Sequence, residues 1–281
     1  MSDAESPLDE IGLWSEMKLE IVRKYAGAYS RILANQPKLT HHYIDGFAGM
    51  GRHISKEAGM AVPGSPLIAL DVRPAFHHHF LIDIDGDCVE SLRRLVGQRP
   101  DVTILHGDCN KILLDEVLPQ IQYRDFRRGL CLLDPRGLDL AWKVVAKAAE
   151  LRTIDLWLNF PTMHINRNVL RRDPMLAVPS EIARFTRFWG DESWREVAYH
   201  RSGQILLFGE EEREKVTNEA LAAAFRKRLK DVARFEHVPP PIPMRNSTNS
   251  VVYYLFFASR NGTANRIATD ILRRYARRGA S

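Results

Sequence analysis

The sequence predicts an α/β chain built on a doubly wound, mostly parallel sheet, and three observations carry that prediction. Short apolar runs at 42–47, 76–83, 102–108, 130–134 and 154–160 alternate with helix-like stretches. The runs are apolar along their length rather than at every second position, as strands covered on both faces are. Their carboxyl ends carry Asp45, Asp83, Asp108, Asp134 and Asn159 in turn. In an open sheet of this kind the ligand crevice lies beyond those ends.

Taken in order, the first element is a helix. Trp14, Met17, Ile21, Tyr25, Tyr29 and Ile32 form one apolar stripe at helical spacing, stopped by Asn35 and Pro37. The five strand-like runs follow, with helices expected over 87–96 and over the alanine-rich 140–151. From Asn166 to Arg234 the composition turns polar and rich in arginine and glutamate, which reads as helical with a solvated face. A β signal returns at 233–238, then a proline-rich turn at 239–243, then the apolar run 251–258. These last two strands are expected to pair as an antiparallel hairpin at one sheet edge. The chain therefore divides into an N-terminal helix packed on the core (1–38), the sheet core (39–165), a helical insertion (166–232), and final strands with a basic C-terminal helix that complete the core (233–281).

Composition bounds the rest. A chain of 281 residues with 45% hydrophobic and 27% charged residues buries a sizeable core in one or two domains. Disordered and fibrous classes are excluded. No apolar run approaches the roughly 20 residues of a membrane helix, and the first dozen residues are acidic, so a cytoplasmic protein is expected. Cys88, Cys109 and Cys131 lack metal-ligand spacing and read as buried free thiols. The formal net charge of +5 sits at the C-terminal end, where residues 236–281 hold seven arginines against Glu236 and Asp270. That balance alone is weak evidence for nucleic acid.

The most informative segment is Asp45-Gly46-Phe47-Ala48-Gly49-Met50-Gly51, a strand end running into a glycine turn. Gly49 and Gly51 allow a sharp turn and close approach of the backbone to a ligand. A dinucleotide loop would read GxGxxG; here the order is GxxGxG and an acid opens it, so Asp45 would repel a diphosphate. An acid suits a cationic or amino-bearing ligand. The pattern resembles the first motif of class I methyltransferases that use S-adenosylmethionine (SAM), a family of Rossmann-like fold. The resemblance implies a SAM amino-acid portion beside residues 45–49 and 51. It also implies ribose hydroxyls on Asp83, with Asp85 as the competing register, and adenine near Gly107, Asp108 and Cys109. Read without the resemblance, acids at strand ends are helix caps.

The likeness extends further. Gly64-Ser65-Pro66-Leu67-Ile68-Ala69-Leu70, Gly107-Asp108-Cys109-Asn110, Leu133-Asp134-Pro135-Arg136-Gly137, Asn159-Phe160-Pro161 and Tyr253-Tyr254-Leu255-Phe256-Phe257-Ala258-Ser259 occur in the order seen in the three-Cys-motif partner protein (TcmP) family. The chain is similar to that family over roughly residues 18–271. The resemblance implies a SAM-methyltransferase-like fold, a winged-helix-like character for the insertion, and a radical-SAM-like partner protein that bears the three-cysteine motif. Two departures stand out: Asp-Pro-Arg-Gly where many members have Asp-Pro-Phe-Gly, and Gly46 where a larger apolar residue is usual.

Asp134-Pro135 is also similar to the Asp-Pro-Pro-Tyr motif of amino-methyltransferases, in which the acid accepts hydrogen bonds from the target amine and the aromatic stacks on a flipped base. Arg136 and Gly137 replace the stacking half, although an arginine plane can itself stack or meet phosphate. Asp134, Pro135 and, less directly, Asn159 are therefore the candidates for orienting an acceptor. Arg136 with Arg167, Arg171 and Arg172 are candidates for substrate, with an ordinary amphipathic helix as the competing account. Cys131 lies inside a strand and reads as core rather than nucleophile. The acidic run at 83–87 fails the calcium-loop pattern, 59–64 fails the P-loop pattern, and His77-His78-His79 reads as structural, so no metal is expected. Two functions stand against each other: a SAM-dependent methyltransferase of unknown acceptor, nucleic acid or a partner-delivered substrate, and a non-catalytic SAM-binding accessory subunit of the radical-SAM-like partner.

Overall fold

A computed structural model of the chain describes residues 8–171, 177–205 and 211–278. Strand β1 (Glu10–Ile11) leads into helix α1 (Leu13–Ala34). Ile21, Tyr25 and Tyr29 of the apolar stripe are buried as expected, but Ile32 is exposed and Leu33 packs in its place. One charged residue, Lys18, shares the buried face.

Strand β2 (Thr40–Asp45) ends in the glycine turn, and a small excursion follows: β3 (Arg52–Ser55), β4 (Ala61–Pro63) and helix α2 (Ser65–Leu70). Strand β1 pairs parallel with β3 and β3 pairs antiparallel with β4, a three-stranded sheet with no apolar pattern to announce it. Next come β5 (His78–Asp83), α3 (Gly86–Val96), β6 (Val102–His106) and the short α4 (Cys109–Ile112). Strand β7 (Arg127–Leu133), α5 (Trp142–Leu151) and β8 (Ile154–Phe160) complete the alternation.

The five strands and the late hairpin form one seven-stranded sheet in the order β6-β5-β2-β7-β8-β12-β11, where β11 is Ile242–Arg245 and β12 is Val251–Ala258. Pairings from β6 to β8 are parallel; β12 runs antiparallel to both β8 and β11. Chain order reverses between β2 and β7, which makes their carboxyl ends the topological switch point.

The hairpin at the edge is as expected, but its first strand is not at 233–238. That segment supplies only an isolated bridge, His237 to Ser259, and the strand forms inside the proline-rich stretch. Pro243 is tolerated because β11 is an edge strand, with one side free of ladder partners.

Between β8 and β11 lie α6 (Thr162–Asn168), α7 (Pro179–Trp189), α8 (Trp194–Ala198), a hairpin of β9 (Tyr199–Ile205) and β10 (Glu211–Lys215), and α9 (Asn218–Asp231). The stretch expected to be helical therefore contains a two-stranded sheet. Its aromatics Phe185, Phe188, Trp189 and Phe225 join Phe160 and Trp142 in the same apolar layer as the sheet face. The basic helix α10 (Gly262–Arg278) closes the chain.

Both sheet faces are covered, which explains the unbroken apolar runs. Along β7, Leu130 and Leu132 join the layer with α1 and α10, while Cys131 and Leu133 join the layer with α5, α7 and α9. A polar anchor ties α1 to the sheet: Tyr25 Oη donates to Asp155 Oδ2 at 2.7 Å, and Ser259 Oγ donates to the other carboxylate oxygen.

Candidate functional site

A cleft of about 650 Å³ opens at the carboxyl ends of β2, β5, β6 and β7. Its floor is the glycine turn, which bridges the two strands flanking β2. Gly46 N donates to Leu132 O at 3.0 Å on the β7 side, and Ala48 N donates to Ile82 O at 2.9 Å on the β5 side. Gly49 has a φ of +63° and Gly51 of +83°, a left-handed region that glycine occupies without strain. A Cβ at residue 46 would stand 2.8 Å from Leu133 Cδ2, so a larger residue there requires that leucine to shift. The Gly64-Ser65-Pro66 segment braces the turn: Gly64 N donates to Gly51 O at 2.8 Å.

The structure separates the sequence candidates by position. Gly46, Phe47, Ala48, Gly49, Asp83 and Asp85 line the cleft, as do Gly107, Asp108, Cys109, Asp134 and Arg136. Asp45 does not. It is fully buried beneath the turn, where its carboxylate accepts from Phe47 N at 3.2 Å and Tyr43 Oη at 3.0 Å. Burial pushes its pKa up to about 6, against the pull of Ser65, Phe47 and Tyr43. Its role is to shape the turn. Gly51 likewise faces inward, against Leu92 and Leu95. Pro135 is buried, and Asn159 lies behind Asp134, donating to its Oδ1 at 2.8 Å. Neither lines the cleft, and neither do Arg167 and Arg171; Arg172 lies outside the described residues.

The competing acids on β5 have different local work. Asp85 is the N-cap of α3, accepting from Asp87 N and Cys88 N. Asp83 instead accepts from Gly49 N at 2.7 Å and Asp85 N at 2.9 Å, which fixes its carboxylate against the turn. Asp108 both caps α4 and lines the cleft. Asn110 ties this loop to the next, donating to Asp139 O and accepting from Ala141 N. Burial pushes the Cys109 thiol up to about 12, with Asp108 and Asp139 adding to the effect, so it is no nucleophile.

At the other end of the cleft stands a side chain that sequence reasoning passed over. Lys18, from the buried face of α1, donates from Nζ to Asp134 Oδ2. Burial alone would lower its pKa; Asp134, then Tyr253 and Asp45, outweigh that and hold the ammonium charged. The available signal was a lysine at position 18 directly beside Met17 on an apolar stripe. His53, Ser15, Asp139 and Arg187 also line the cleft, brought in by β3, α1, the loop after β7 and α7. Asp9 and Glu10 reach the cleft from the chain's beginning, where Asp9 accepts from Arg136 Nη2 at 2.7 Å. No motif marks these residues.

The aromatic of an Asp-Pro-Pro-Tyr motif has no counterpart here. Gly137, the residue in its place, has a φ of +65°, and a Cβ would stand 2.9 Å from the His164 ring. Among the described residues no group of three or more His, Cys, Asp or Glu is placed to hold a metal ion. No described helix is long and apolar enough to cross a membrane.

No family model matches the chain, and no curated protein matches it. Among solved structures, it is similar to a Legionella pneumophila protein of the family model DUF519, at 9% identity and a TM-score of 0.48 over 92% of each chain. It is also similar to the CMeT domain of the citrinin polyketide synthase, at 11% identity and a TM-score of 0.38, over 79% of this chain and 47% of that one. The fold is α/β of the methyltransferase-like Rossmann type, on the strength of its own strand order and register.

Proposed function

We propose that the protein is a SAM-dependent methyltransferase. One observation carries the reading: a single cleft at the topological switch point is walled in sequence by the glycine turn, the Asp83 carboxylate and the Gly107–Cys109 loop, the three places an amino acid, a ribose and an adenine would occupy. Its volume of about 650 Å³ falls within the usual range for cofactor sites, roughly 300–1,000 Å³. The donor set fits SAM as well. Asp83, fixed against the turn, keeps acceptor capacity on each oxygen for the paired ribose hydroxyls, whereas Asp85 caps α3. Bound SAM would supply an already activated methyl group, so general acid or base help is secondary to positioning.

The chain's own part is then to hold and orient. The turn and Asp83 fix the cofactor, and Asp134, itself held by Lys18 and Asn159, presents a carboxylate edge to the acceptor. The stacking position is Gly137, with no aromatic in its place, so amino methylation of a flipped base is not the reading this arrangement favours. The acceptor is either nucleic acid or a substrate shared with the radical-SAM-like partner that the family resemblance implies. Nucleic acid that co-purifies and is removed by salt supports the first; its absence, with retention of the chain on an immobilised three-Cys-motif protein, supports the second.

Calorimetric titration of SAM and S-adenosylhomocysteine tests the cofactor reading. Saturable binding that Asp83→Ala abolishes is expected. No binding by the unaltered protein removes the methyltransferase reading; binding without turnover on any acceptor leaves the accessory-subunit reading.

A further inference from the structure

Lys18 is a buried cation in the cleft that the SAM-binding motifs do not explain. Its side chain is 9% exposed, and an ammonium carries three donors. Asp134 takes one, and the Tyr253 ring faces the ammonium at 5.6 Å. Among the described residues no further acceptor lies within hydrogen-bond reach, so a buried cation turns its remaining donors to the cavity it lines. Buried donors left without partners are costly, and a charged group more so.

A second orphan sits at the same end. His53 lines the cleft from β3, and its Nδ1 is buried with no hydrogen-bond partner. Burial, then the Lys18 charge, lowers the pKa of this imidazole, so it is neutral and supplies a hydrogen bond rather than a second charge. The other cations of the cleft are placed differently. Arg136 is 73% exposed and engaged with Asp9, and Arg187 stands on α7, whose charge is felt by Cys109 on the far wall.

We propose that Lys18, with His53 beside it, forms an anion subsite for the α-carboxylate of the cofactor's amino-acid portion, built by α1 and β3 rather than by the glycine motif. The inference rests on the reading that the cleft takes SAM. Lys18 would then bridge cofactor and Asp134, so that the acid which faces the acceptor is set in place by the residue that senses the cofactor's carboxylate.

The test compares two ligands on the full chain: S-adenosylhomocysteine, and 5′-methylthioadenosine, which keeps the adenosine and thioether but has no amino acid. Lys18→Met is expected to weaken S-adenosylhomocysteine about 10- to 100-fold, the usual worth of a charge-assisted hydrogen bond, and methylthioadenosine less than about twofold. Lys18→Arg is expected to recover part of the loss. Equal weakening of both ligands means that Lys18 only supports the fold, and an unchanged S-adenosylhomocysteine affinity means that the carboxylate lies elsewhere; either overturns the inference alone. Absence of binding by the unaltered protein overturns the cofactor reading together with it. Should Lys18→Met not fold, Lys18→Gln/Asp134→Asn replaces the ion pair with an uncharged pair of similar size, and the same ligand ratio decides.

Discussion

Gly49 and Gly51 look equivalent in the sequence, yet the structure gives them opposite surroundings, so their alanine variants should fail in opposite ways. At residue 49, φ is +63° and a Cβ would meet no protein atom within 4 Å, although the residue lines the cleft. The folding cost of Gly49→Ala is then the left-handed backbone alone, about 1 kcal/mol. At residue 51, φ is +83° and a Cβ would stand 2.9 Å from Leu92 Cδ2 and 3.2 Å from Leu95 Cδ1. Overpacking against α3 adds to the backbone cost, for a total of about 2–3 kcal/mol. Each kcal/mol moves the midpoint of a domain this large by about 2–4 °C. Thermal unfolding followed by circular dichroism should therefore place Gly49→Ala about 3 °C below the parent and Gly51→Ala about 6–9 °C below it. Affinity for S-adenosylhomocysteine should run the other way. Gly49→Ala places a methyl group where the ligand is proposed to approach and should weaken it about tenfold, equivalent to about 1.4 kcal/mol. Gly51→Ala, assayed well below its midpoint, should bind within about threefold of the parent. A Gly49→Ala protein that unfolds earlier than Gly51→Ala, or binds the ligand better, would refute this division of labour.

Two further outcomes follow from buried titratable groups. His42 is buried, and desolvation, with Arg127 and neighbouring histidines, lowers its pKa to about 3. A neutral imidazole is thus preferred in the fold, so its contribution is complete above about pH 6.5 and is lost as pH falls from there towards its folded value. Asp45 and Asp155, raised to about 6 chiefly by burial, act in the opposite sense: their contribution is complete below about pH 4 and is lost as pH rises through 6. The difference in urea stability between the parent and His42→Gln cancels the carboxylates, and should shrink by up to about 1.4 kcal/mol per pH unit between pH 6 and 4; a constant difference would exclude a neutral buried His42. Tyr25→Phe removes one of the two donors to Asp155 and should cost about 1–3 kcal/mol in denaturant unfolding at neutral pH, whereas a loss under about 0.5 kcal/mol would mean that Asp155 does not hold α1 in place.

The local grammar of this chain is readable without its tertiary structure. Apolar runs with no polar alternation announce strands buried on both faces, and four of the five such runs in the core are central strands, the run at 102–108 forming the edge strand β6. The Asp45–Gly51 turn and the acids at 83 and 108 also announce themselves, because strand-end position and turn chemistry are properties of a few consecutive residues. Where the pattern was weak the expectations slipped: the strand expected at 233–238 formed at Ile242–Arg245, because an edge position, which only the assembled sheet defines, admits Pro243. The excursion β1–β3–β4 pairs residues that are mostly exposed or half-buried, which leaves no periodic mark.

What only the tertiary structure decided is which of these residues share the cleft. Asp45 and Gly51 carry the motif yet turn inward, since the turn must be supported from beneath before it can present Gly46–Gly49 backbone upward. Lys18 carries no motif yet meets Asp134, a partner 116 residues away, because α1 crosses the sheet face at the switch point. A sequence states the periodicity and conformational preference of each segment, which are short-range; it does not state the distance between side chains on segments folded side by side, and the chemistry of a site depends on that distance.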